Sequence, residues 1–232
     1  MYVSPSVYRE LRMEKGVLEE VYRSHHEKRG RYGYLFCHGE RGPYLRNWIG
    51  TGKRVLDLGC RDGMLTRNFF EGNEIVGADI DRKALEIARQ DLEIETVWVD
   101  LNAEWPFEPE SFDVIVACEL VEHIFFVDPF LANIWSALKS DGMFIGSVPN
   151  AFRMRNRFKF LMGRDFETDP THVRMFSYQK LQDTLGNLFS DVEIVPILGR
   201  VIPFLPVSSQ LPIWLTRLFA RDLLWQVRKR IP

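Results

Sequence analysis

Short apolar runs, each closing on a glycine or an acid, recur through the middle of this chain and leave few folds open. The first is Arg54–Leu58 (RVLDL), followed at once by a glycine-bearing turn at 59–63 and a helical stretch to residue 70. Residues 74–80 read as a second strand ending in acids. Residues 82–91 have helical spacing, with Leu85, Ala88 and Leu92 on one face. Residues 95–99 form a third strand and Phe112–Cys118 (FDVIVAC) a fourth, apolar on both faces. A helix at 129–139 and a fifth strand at 143–148 follow. Continuous apolar strands belong to parallel sheets covered on both sides. Strands alternating with helices imply βαβ units. The expected fold is α/β: a Rossmann-like, doubly wound, mostly parallel seven-stranded sheet with helices on both faces.

The flanks are less regular. Residues 8–23 have helical character, 25–42 read as a loop or cover, and 42–48 start a helix. Residues 150–170 are basic and aromatic. Residues 178–189 read as a helix capped by Ser177, and 191–196 as a sixth strand. Pro203, Pro206 and Pro212 break the chain before a helix at 213–220. Residues 223–229 read as a last strand returning to the sheet edge. This divides the chain into a helical cover segment (1–50), a binding core (51–196) and an apolar C-terminal segment (197–232). The stretch 197–220, with Trp214 and Phe219, suits a peripheral membrane contact or a surface that covers the sheet and closes a homodimer; packing or dimerisation is the favoured reading.

At 232 residues, the chain is long enough for one domain with a small appendage. Its net charge of −2 gives no global pull toward nucleic acid or membrane. The three cysteines, Cys37, Cys60 and Cys118, form no CxxC pair, and the odd count argues against a disulfide framework. Residues 1–16 hold no apolar core of signal-peptide length. A reduced, cytoplasmic setting is expected.

The chemistry lies at the carboxyl ends of successive strands, where open parallel sheets bind ligands. After the first strand comes Asp57-Leu58-Gly59-Cys60-Arg61-Asp62-Gly63, whose glycines allow a tight turn and close approach to a ligand. Asp79 ends the second strand, where a carboxylate can accept from both hydroxyls of a ribose. Asp100 follows the third strand, and Cys118-Glu119-Leu120-Val121-Glu122-His123 follows the fourth. A dinucleotide fold would want GxGxxG, and GCRDG lacks that spacing.

In this order, VLDLGCRDG, VGADID, DLNAEWPFEPESFDVIVACELVEHI, SDGMFIGSVPN and THVRMFSYQKLQDTL resemble the class I S-adenosylmethionine-dependent methyltransferases. The likeness is to the small-molecule branch that includes ubiquinone-biosynthesis O-methyltransferases and methyltransferases of glycan and lipid biosynthesis. It covers about residues 52–189. The resemblance implies S-adenosyl-L-methionine as cofactor and a small-molecule acceptor. It implies that Gly59 and Gly63, with Cys60, line the methionine and ribose, and that Asp57 holds the amino group. Asp79, with Ile80, is implied to bind the ribose hydroxyls. Asp100 is implied to bind the adenine amino group, with Leu101 beside the ring. The backbone near Cys118 is implied to face the methionine amine. The family usually has glycine where this chain has Arg61, so the side chain there has to leave the pocket.

Nucleic-acid base methyltransferases carry an Asn/Asp-Pro-Pro-Tyr block after the fourth strand, and CELVEH is not that. A scaffold that binds the cofactor without catalysis is the alternative, since this fold is also used that way. His123 reads either as a base or substrate contact or as a helix-start histidine packed on the fifth strand. His172 reads either as facing substrate or as capping a turn. His25, His26 and His38 read as solvated or cover residues without metal-site spacing, and no metal is implied. Arg153, Arg155, Arg157, Lys159 and Arg164 form a run without acids, interleaved with Phe152, Phe158, Phe160, Leu161 and Met162. This is either a solvated amphipathic helix or a recognition segment for an anionic acceptor, with Arg153, Arg155 and Arg157 as its contacts.

Overall fold

The computed structural model describes residues 17–34, 38–166, 169–198 and 212–230. Helices α1 (Val17–Lys28) and α2 (His38–Ile49) precede β1 (Arg54–Leu58), a 3₁₀ turn at Thr66–Asn68 and β2 (Glu74–Asp79). Then come α3 (Arg82–Leu92), β3 (Glu95–Trp98), β4 (Phe112–Cys118), a 3₁₀ turn at Val121–His123, α4 (Val127–Ala137) and β5 (Leu138–Pro149). The chain continues through α5 (Met154–Leu161), α6 (Tyr178–Gly186), β6 (Phe189–Ile197), α7 (Ile213–Phe219) and β7 (Asp222–Lys229).

The seven strands lie in the order β3-β2-β1-β4-β5-β7-β6. β1 to β5 are parallel, and β7 runs antiparallel between β5 and β6. Strand order reverses between β1 and β4, so a crevice opens above their carboxyl ends. Alternate residues feed two cores. Leu56, Leu58, Ile115 and Phe144 pack with Phe130 and Ile134 of α4 and with Leu181 and Leu185 of α6. Val55, Val114, Val116 and Ile145 pack with Leu45 and Ile49 of α2 on the other face.

Local signals account for several boundaries. Asp81 caps α3 by accepting from the backbone N–H groups of Lys83 and Ala84. That helix buries Ala84, Leu85, Ala88 and Leu92, the expected face. Ser177 caps α6, accepting from Lys180 N at 3.1 Å.

Four expectations need correction. The stretch read as helical to residue 70 is only a 3₁₀ turn. The 25–42 loop is helical at both ends. α1 runs to Lys28, and α2 begins at His38 with Pro43 inside it. Arg41, Leu45 and Ile49 recur every fourth residue and are buried, so tertiary packing outweighs the glycine and proline breakers. The helix read to residue 189 ends at Gly186, and β6 starts at Phe189. The last strand does not take the edge: β7 is inserted between β5 and β6. Gly146 lies directly across from Trp225, and a Cβ at Gly146 would collide with that indole. The missing side chain makes room for the largest fully buried residue of the structure. Residues 8–16 of the expected N-terminal helix, Cys37, Pro203 and Pro206 lie outside the described residues.

Candidate active site

A cavity of about 550 Å³ opens above β1, β2, β3 and β4. Gly59, Cys60, Asp79, Ile80, Asp100, Leu101 and Cys118 line it, so all four strand ends converge on one space. Asp79 is 7% exposed. Its Oδ2 accepts from Arg61 N at 2.9 Å and its Oδ1 from Asp81 N at 2.8 Å. Burial raises its pKa, and those two N–H groups work against the rise. Each carboxylate oxygen has two acceptor sites, so the backbone fixes the group while leaving capacity for a ligand diol. Asp100 accepts from Asn102 N at 3.0 Å.

Asp57 and Gly63 do not line the cavity. Asp57 is 2% exposed and accepts from the Thr66 hydroxyl at 2.7 Å, inside the protein. Burial lifts its pKa to about 7, against that hydrogen bond. Gly63 has φ +74, and a Cβ there would stand 2.6 Å from Leu92 Cδ1, so it serves the seating of the loop on α3. Arg61 adopts φ +52. Its Nε donates to Asp62 Oδ1 at 3.0 Å and its Nη2 to Tyr34 O at 2.5 Å. The guanidinium thus ties the loop to the segment above it, and Arg61 lines the cavity where it was expected to leave it.

That segment is the cover, α1 with residues 29–34, and three carboxylates hold it down. Asp81 accepts from His26 Nδ1 at 2.9 Å and from Tyr32 Oη at 2.7 Å. Asp62 accepts from Gly33 N at 2.5 Å. Asp169 faces His25 Nε2 and Arg31 Nη2, both at 3.2 Å. Burial pushes Asp169 up, but its hydrogen bonds from Thr171 and the nearby histidines bring it down to about 2. His25 and His26 are therefore engaged cover residues and not solvated ones. Tyr22 of α1 also lines the cavity.

The opposite wall carries His123 and His172, both lining the cavity, with ring centroids 4.7 Å apart. His123 Nδ1 lies 3.0 Å from Thr171 O. A carbonyl can only accept, so Nδ1 carries the proton and Nε2 keeps a lone pair. Burial, then the neighbouring His172, lowers the His123 pKa to about 4. Glu122 is 2% exposed, and neither of its carboxylate oxygens has a hydrogen-bond partner. Burial, then Glu119, raises its pKa well above the carboxylate range. One ligand atom from each of Glu122, His123 and His172 lies within 4.8 Å of the others. A carboxylate with two imidazoles is a donor set of the kind that holds a divalent cation. The sequence implies no metal; the fold joins residues 49 positions apart in the chain into this donor set, a grouping that spacing does not reveal.

Of the basic segment, Arg153 lines the cavity, along with Asn156, while Arg155 and Arg157 do not. Arg153 is the N-cap of α5, in extended conformation, and its Nε donates to Asn156 Oδ1 at 3.4 Å. Arg157 Nε donates to Phe152 O at 2.8 Å. Sequence reasoning missed Arg41. This residue of α2 is 3% exposed, lines the cavity, and places Nη1 3.1 Å from Glu119 Oε1 and 2.9 Å from Ser147 Oγ. The available signal was an arginine in register with the buried Leu45 and Ile49.

A family model described as a methyltransferase domain matches residues 31–188. A ubiquinone biosynthesis O-methyltransferase of Mesorhizobium japonicum is 34% identical over 103 residues, 42% of this chain and 41% of that protein. One from Sinorhizobium medicae is 36% identical over 117 residues, 48% of this chain and 47% of that protein. The matches thus span about half, or less, of these relatives. Among solved structures, an S-adenosylmethionine-dependent methyltransferase from Thermotoga maritima superposes with a TM-score of 0.63 at 16% identity, over 82% of this chain and 88% of that one. Phosphoethanolamine N-methyltransferase 2 of Haemonchus contortus, in complex with S-adenosyl-L-methionine, gives a TM-score of 0.59 at 19% identity, over 82% of this chain and 52% of that one. These two structures share the fold.

Proposed function

Because this chain belongs to the S-adenosylmethionine-dependent methyltransferases, we propose that it methylates a hydroxyl of a small, anionic acceptor. The single observation that carries the hydroxyl is His123, with its proton fixed on Nδ1 by Thr171 O and its Nε2 lone pair in the cavity.

The strand-end residues suit the cofactor. Asp79 would take the ribose hydroxyls, Asp100 the adenine amino group, and the loop at Gly59 and Cys60 the methionine end. Arg41, a buried cation on the same cavity, suits the methionine carboxylate, since a guanidinium pairs best with a planar anion. The bound cofactor supplies a methyl group on a sulfonium, ready for in-line displacement. The protein's part is to hold the acceptor oxygen behind that methyl and remove its proton. His123 Nε2 would accept the proton, because burial keeps the ring neutral at neutral pH. Arg153 supports an anionic acceptor, being the cation of the basic run that lines the cavity.

The test is a panel of hydroxylated carboxylates and phosphates with amine counterparts, read by the appearance of demethylated cofactor. His123→Ala should sharply lower turnover on any hydroxyl acceptor found, with cofactor affinity unchanged. Turnover confined to amines would overturn the hydroxyl reading.

A further inference from the structure

The basic and aromatic run at 152–164 is only partly absorbed by the cavity, and the rest of it faces outward. No residue of α5 is buried. Phe158 is 63% exposed, Phe160 69% and Leu161 80%. Met162 follows them into solvent, and α7, packed beside α5, exposes Ile213 and Trp214. Asn150, in the segment leading into α5, donates to Arg217 O at 2.9 Å and Ala220 O at 3.0 Å. Six large apolar side chains thus stand exposed on two neighbouring segments, a concentration that a soluble surface rarely shows.

Arg155, Arg157, Lys159 and Arg164 stand on the same segment, which contains no acid from 153 to 164, in a chain of net charge −2. Large apolar side chains interleaved with cations match the boundary between acyl chains and anionic headgroups. A second copy of the chain fits less well. A two-fold contact sets a face against itself and would bring these cations together. Among the described residues, no helix is long and apolar enough to cross a membrane.

We propose that α5 and α7 form a docking face for an anionic lipid surface. It relocates the contact expected over 197–220, adding α5 to the described part of that stretch. Arg153, Asn156 and Phe166 line the cavity at the margin of this face. An acceptor held in the lipid surface would thus meet the cavity directly; that step alone rests on the methyl-transfer reading.

The experiment is co-flotation of the full chain with vesicles, without acceptor. One set is phosphatidylcholine, and the other is phosphatidylcholine mixed with phosphatidylglycerol. Binding is expected to the mixed vesicles and not to the neutral ones. Lys159→Gln and Arg164→Gln should each weaken it about fivefold, the equivalent of ~1 kcal/mol per cation near the surface. The double variant Phe160→Ser, Leu161→Ser should weaken it by about tenfold or more, since each removes a large exposed apolar group. Calorimetric titration with S-adenosylmethionine should be unchanged in every variant, which shows that they fold. Equal binding to both vesicle types would overturn the proposal, as would binding indifferent to all these variants. Absence of vesicle binding, with dimers in solution that the apolar variants dissociate, would assign the face to a second copy instead. Failure to methylate any hydroxyl would leave the vesicle result standing.

Discussion

The two walls of the cavity are built by different means. On the wall proposed for the cofactor, strand ends deliver Gly59, Asp79 and Asp100 in chain order, and main-chain N–H groups hold the carboxylates in place. On the wall proposed for the acceptor, support is long-range: the main-chain carbonyl of Thr171 orients His123 from 48 residues away, and Glu122 stands beside His172. Support from sequence neighbours comes with the strand end itself. Long-range support depends on how distant segments pack, so that wall is free to vary.

The largest effect should separate catalysis from cofactor binding. His123→Ala is expected to lower turnover by ~10²–10⁴-fold, the usual contribution of a positioned base, while calorimetry finds the cofactor affinity unchanged. Turnover preserved within a few-fold would make the histidine structural and blur the contrast. The next concerns the buried floor of the cofactor wall. Asp57 has a folded pKa of about 7, above its unfolded value. The folded state therefore keeps a proton that the unfolded chain loses. The contribution of Asp57 to stability should be full below about pH 4 and fall as pH rises to about 7, by on the order of 4 kcal/mol. Urea titrations across that window check it, and Asp57→Asn should flatten the slope. Asp79→Ala should weaken cofactor binding by ~1.5–3 kcal/mol, measured by calorimetry, with turnover at saturating cofactor little changed. The smallest effect lies on the basic segment. Arg153→Glu should raise the acceptor KM, whereas Arg155→Glu and Arg157→Glu should leave it within about twofold, because exposed charges act weakly.

This contrast also explains what the sequence could disclose. The α/β sheet was legible because each buried strand leaves an apolar run, and each ligand-facing turn leaves its glycine or acid at a fixed offset. Asp79, Asp100 and Gly59 were legible for the same local reason. Gly63 and Asp57 carried the same local signature yet serve packing and an internal hydrogen bond, because position after a strand does not say which way a residue faces. Arg41 and Tyr22 were not legible. Their place on the cavity comes from how α1 and α2 pack, and that information is not local. Arg155 and Arg157 carry the same charge signature as Arg153 yet do not line the cavity, because charge marks a segment and not the way each member faces.

The insertion of β7 between β5 and β6 bears on how the molecule is made. Synthesis delivers β6 before β7, and chains form their structure as they emerge. β5 and β6 therefore both wait with open hydrogen-bonding edges until residues 222–229 arrive. Unpaired edges are templates for pairing with other chains. Trp225, entirely buried opposite Gly146, is the wedge that closes this gap. A ribosome stalled before residue 222 would hold a half-sheet whose parallel strands are already paired but whose far side is adhesive.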